Sequence, residues 1–140
     1  MKSVKKYISY FDADIFKCET LLSIACSYED IVKFSNKKFI DRQFRKFIES
    51  REKIIKKNID FANGFVCFDK NNGFGILWMK EFTDVWDNYE ILVHELYHLV
   101  DYISEQKQIE EGGEARAYLM EYVFNKTRRM IQKEYLGIIK

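Results

Sequence analysis

Not one of the 140 residues is proline. Proline is the residue that most reliably stops a helix, so a chain without it can carry long uninterrupted helices. Its turns must then be shaped by glycine and asparagine. Hydrophobic spacing decides where the helices lie. Ile40, Phe44, Phe47, Ile48, Ile54 and Ile55 recur at helical steps, which predicts one amphipathic helix over about 38–57. Ser27, followed three residues later by Asp30, predicts a capping box that opens a short helix through Phe34. Thr83 or Asp84 is placed to cap a helix running to about Glu105, and a last helix is expected from Glu114 to about Lys133.

Strand signals are fewer. Cys18, Thr20, Leu22, Ile24 and Cys26 alternate with other residues, which favours a strand around 19–26. Phe65–Asp69 and Phe74–Met79 flank Asn71-Asn72-Gly73, and Asn-Gly supplies positive φ for a tight hairpin turn. Strands and about four helices together predict an α+β chain with a small antiparallel or mixed sheet, forming a single domain over 1–140.

Charge is spread unevenly. Residues 37–57 hold nine Lys or Arg against three acids, whereas 81–121 hold eleven acids against Lys107 and Arg116. The net charge of +1 excludes attraction to nucleic acid or membrane by bulk charge alone. The basic helix reads as a solvated face, with phosphate contact the weaker reading. Acids at Asp12, Asp14 and Glu19 interrupt the apolar stretch after the N-terminal lysines, so no secretory signal is expected. Cys18, Cys26 and Cys67 are odd in number and lack C-x-x-C spacing, which points to free thiols and a cytoplasmic protein.

The two histidines of the chain stand in His94-Glu95-Leu96-Tyr97-His98. Four residues turn a helix through about 400°, so both imidazoles project from one face, a turn apart. They can there ligate one Zn²⁺ as neutral donors. Glu95 lies about 100° round from His94, which suits a general base acting on water better than a ligand. Leu92, Leu96, Leu99 and Ile103 fall on the opposite stripe, giving the helix an apolar back and an imidazole-bearing front. With no further histidine and no suitably spaced cysteine, a third ligand has to be a carboxylate. Asp101, Glu110, Glu111, Glu114 and Glu121 are the candidates, and Asp101 is better suited to orienting a histidine. Glu114, Tyr118 and Glu121 share one face of the last helix, opposite Leu119, Val123 and Met130.

The run from His94 through His98-Leu-Val-Asp101, followed by Glu114-Ala-Arg-Ala-Tyr-Leu119, resembles the small HExxH metallopeptidases encoded by bacteriophages and their bacterial hosts. The Gly64–Met79 hairpin is similar as well, so the resemblance covers roughly 61–124. It implies a minimal zincin-like fold and a gluzincin-like site holding one zinc per chain. His94, His98 and Glu114 would be the ligands and Glu95 the catalytic base. Larger gluzincins such as thermolysin carry more substrate-binding apparatus than this chain has room for. Glu114 also opens its helix, close to the loop that returns the chain towards His98, which places it ahead of Glu121 and Asp101.

The expected function is therefore a cytoplasmic zinc metallopeptidase, with a peptide or protein as substrate and no membrane partner. Glu95 would take the proton of a zinc-activated water and pass it to the leaving amine. Tyr118 is the preferred oxyanion donor and Arg116 the alternative. Phe74–Met79 has two readings: an edge strand pairing with substrate where Gly75 allows close approach, or an ordinary hairpin strand in the core. The rival function is a non-catalytic phage module that keeps the fold to bind a host or phage protein.

Overall fold

The computed structural model describes residues 5–13, 16–110 and 112–140. Within them the chain is α+β: four strands in one mixed sheet and five α-helices. In chain order these are β1 (Tyr7–Asp12), β2 (Glu19–Ile24), α1 (Tyr28–Ser35), α2 (Arg42–Ser50), α3 (Glu52–Phe61), β3 (Gly64–Asp69), β4 (Phe74–Met79), α4 (Trp86–Lys107) and α5 (Glu114–Met130). A π-helical turn, Ile131–Tyr135, continues α5. The strand order is β1-β2-β4-β3, with β2 parallel to β4 and the other two pairs antiparallel.

Alternation along the strands divides the interior into two cores. Phe74, Ile76 and Trp78 of β4 pack with Leu21, Ile31, Phe44, Ile48 and Ile55 from the α1–α3 side. Leu77 and Met79 of the same strand pack with Leu22, Ile24, Leu92, Leu96, Leu119 and Val123 from the α4–α5 side. The period of two sends neighbouring side chains to opposite faces, so each face of the sheet carries its own helical layer.

Several expectations hold and several are corrected. Ser27 caps α1 as expected: its hydroxyl accepts the Asp30 N–H, and the Asp30 carboxylate accepts the Ser27 N–H. The single helix expected over 38–57 is two helices, α2 and α3, parted at Arg51 with φ −107 and ψ 16. The apolar stripe fails there, because the positions three and four beyond Ile48 are Arg51 and Glu52. After the break Ile55 is buried, while Ile54 turns outward.

The hairpin forms, but through the loop 70–73, in which Gly73 alone has positive φ. Asp69 organises the loop by accepting the Asn71 N–H on its carboxylate and the Gly73 N–H on its carbonyl. Neither Thr83 nor Asp84 caps α4. Val85 occupies the cap position without a side-chain bond, and Thr83 instead bonds Asn88 while Asp84 accepts from Tyr89. The last regular α-helix stops at Met130, short of Lys133, and the chain widens into the π turn.

β4 is a central strand with all six residues buried, which overturns its reading as a substrate-pairing edge. Gly75 makes room for the protein's own helix: a Cβ there would meet Leu99 Cδ1 at 3.1 Å. The edge strand on this side is β3.

Candidate metal centre

α4 packs its apolar stripe on the sheet, with Leu92, Leu96, Leu99 and Ile103 all fully buried. This fixes what the opposite face does. His94 and His98 are exposed there, and their Nε2 atoms stand 3.1 Å apart with the rings crossing at 82°. Two nitrogens at zinc-ligand distance from one tetrahedral ion would be about 3.3 Å apart, close to the separation of this pair, which is also that of a hydrogen bond between the two rings. Both donors are imidazoles, which suits zinc better than a hard cation. Among the described residues no group of three His, Cys, Asp or Glu side chains is gathered closely enough to hold a metal.

Glu95 points to a different side of α4 from the histidines. It is buried, at 7% exposure, and lines a cleft of about 450 Å³ with Asn63, Gly64, Asp87, Glu90, Ile91 and His94. Burial pushes its carboxyl above the ordinary carboxylate range, against the opposing pull of His94 and His98. The far wall of the cleft is the start of edge strand β3. A Cβ on Gly64 would meet Ile91 Cγ2 at 3.1 Å and Glu95 Cγ at 3.2 Å, so a side chain here would push these neighbours back by a few tenths of an ångström. Gly64 is the cleft-lining position that the sequence reading did not single out. Its one signal was a glycine at the start of a strand.

The candidates on α5 are placed by register. Asp101 forms an ion pair with Arg116, and Gln132 Nε2 donates to the Tyr89 hydroxyl at 2.9 Å. As α4 advances from 89 to 101, its partners on the second helix retreat from 132 to 116, so the two helices run antiparallel. Interpolating between these contacts sets Met120 level with His98 and Glu121 one residue beyond it. Glu114 falls about seven residues from Glu121, or roughly 10 Å along the axis. α4 runs nine residues beyond His98 to Lys107, and α5 must travel back a similar length before it is beside the histidines.

Both Glu114 and Glu121 are exposed. Tyr118 is exposed too, its ring stacked on Tyr122. The ion pair engages Asp101 and Arg116 with each other, across the helix interface. Glu110 lies in the loop between the helices, and Glu111 is outside the described residues.

The chain matches none of the family models, curated proteins or solved structures it was compared with. No helix among the described residues is long and apolar enough to cross a membrane.

Proposed function

We propose that this chain is a zinc-dependent hydrolase of peptide bonds, built as a minimal zincin-like domain. One observation carries the reading: the His94 and His98 Nε2 atoms converge to 3.1 Å on an exposed face, one residue from a buried Glu95 that lines a cleft. Two histidines kept merely for packing would more often lie in the buried stripe with Leu96 and Leu99, and these do not.

His94 and His98 would hold the zinc, and a carboxylate of α5 would complete the set. The resemblance to phage-type HExxH metallopeptidases points to Glu114, and the helix register favours Glu121, which is about one residue from the level of His98. We place Glu121 first. Zinc, when bound, supplies a Lewis acid that polarises a carbonyl and acidifies water. Glu95 is the proton carrier: its carboxylate accepts a proton from the attacking water and returns it to the departing amine. The cleft wall at Gly64 sets an extended substrate beside β3, the sheet's open edge next to Glu95, so that main-chain pairing can orient it. Tyr118 remains a candidate for hydrogen bonding the carbonyl oxygen from α5.

The basic residues of α2 and α3 belong to the layer on the other face of the sheet from α4. This favours a peptide substrate over a nucleic-acid-bound one at the histidine face.

Zinc stoichiometry of purified variants tests the ligand set. Wild type should bind one zinc per chain, and His94→Ala should bind none. Glu121→Ala should lose stoichiometric zinc while Glu114→Ala keeps it. The reverse outcome moves the ligand to Glu114, and wild type without zinc affinity sinks the proposal.

A further inference from the structure

Beside His94, on the α5 side of α4, lies a second cavity, of about 680 Å³. That volume is within the roughly 300–1,000 Å³ typical of ligand clefts. Trp86, Val93 and Phe124 supply apolar walls, and His94 forms part of the lining. Two of these walls are unusual for a surface: Trp86 is 75% exposed and Val93 41% exposed. The cavity's polar side is tied down by a chain of hydrogen bonds. Arg128 Nη1 donates to Gln132 Oε1 at 3.0 Å, Gln132 Nε2 donates to the Tyr89 hydroxyl at 2.9 Å, and that hydroxyl donates to Asp84 Oδ1 at 2.6 Å. Gln132 belongs to the π turn, a helix irregularity often found where a side chain is re-aimed for function.

We propose that this cavity is the specificity pocket of the site and receives an aromatic or large aliphatic side chain of the peptide residue next to the bond cleaved. The inference rests on the proposed metal site, because His94 is shared between the two. The occupant follows from the lining. The apolar side chains of Trp86, Val93 and Phe124 gain most from an apolar partner, and the polar groups on the other side already bond one another. Asp84 and Glu90 outnumber Arg128 among the charged residues of the lining, which disfavours an acidic side chain.

Amino-acid hydroxamates test this without requiring turnover. The hydroxamate grips zinc and the side chain probes the pocket, and the fluorescence of exposed Trp86 reports binding. Trp78 is buried, and Trp86→Phe is the control. On zinc-loaded protein, phenylalanine hydroxamate should bind about 10- to 100-fold more tightly than acetohydroxamate. Phe124→Ala should erase most of that preference, read as the ratio of the two hydroxamate affinities. Val93→Asn, at an exposed position, should act in the same direction if the first variant fails to fold. Stoichiometric zinc with no side-chain preference overturns the pocket and leaves the metal site standing. If the protein takes up no zinc, the metal reading fails separately, and N-acetylphenylalaninamide on metal-free protein then decides the pocket. Quenching of Trp86 beyond that by N-acetylglycinamide supports it, and equal quenching overturns it.

Discussion

Glu95 and its two histidine neighbours show how one helical turn separates roles. The 100° step between consecutive residues sends His94 outward and Glu95 sideways into the cleft against Gly64. Glu95 is therefore beside the proposed ion without being aimed at it. Glu95→Gln should keep the fold and the zinc content, since the amide has the same shape and no ligand is lost. Peptide hydrolysis should fall by on the order of 10²–10⁴-fold. Loss of zinc in that variant would make Glu95 a ligand and overturn its role as base. Gly64 is the complementary case: alanine there would press on Ile91 and Glu95 a few tenths of an ångström inside ordinary van der Waals contact. Gly64→Ala should disturb catalysis through Glu95 more than it disturbs metal binding, which parallel rate and zinc measurements would separate.

At the scale of elements, ends and registers matter more than helix interiors. The capping box of α1 satisfies two backbone donors reciprocally, and Lys6 adds an ion pair to Asp30 at 2.9 Å. The Ser27 N–H foremost, then Lys6, holds the Asp30 carboxyl below its ordinary 3.8. A carboxyl with a depressed folded-state pKa favours the fold when ionised. Its contribution is thus fully present above the unfolded-state value and disappears as pH falls through the folded-state one. The stability difference between wild type and Asp30→Asn should be flat from neutral pH down to about pH 5 and shrink below about pH 4. Denaturant unfolding across that range would show it, and a difference growing towards acid would refute it. Ser27→Ala, at the same cap, should cost about 1 kcal/mol. The same attention to ends explains the α4–α5 pair, where the length of α4 beyond His98 sets which stretch of α5 lies beside the histidines.

For the whole molecule, the sheet is the divider. Its two faces carry separate cores, with the basic α2–α3 layer behind and the acidic helix α4 in front, packed with α5. All three cysteines are free thiols, Cys18 and Cys26 buried and Cys67 partly so. Burial raises all three, and takes Cys67 to about 11. At pH 8 the native protein should react slowly with an alkylating reagent, because few thiolates form and access is restricted. After denaturation, with no reductant added, three equivalents should react. A single reactive thiol would reveal a disulfide and contradict the free-thiol arrangement.

What the sequence determined by itself is local chemistry. The capping box, the hairpin strands, the apolar back of α4 and the His94–His98 pair are set by spacings of two to four residues, and such spacings fix geometry within one element. The break at Arg51 was missed, because Ile54 and Ile55 resume a helical step from Ile48 and hide the charged Arg51 and Glu52 between them. Tertiary structure alone decided the rest. β1 gave no clear pattern because its side chains are half-buried, and it is held by pairing with β2. That β4 is central and β3 the edge depends on a parallel pairing between strands more than fifty residues apart. The stretch of α5 that lies beside His98 depends likewise on how far α4 runs before the chain turns back. Such distances arise from packing one element on another, and no periodicity within either element encodes them.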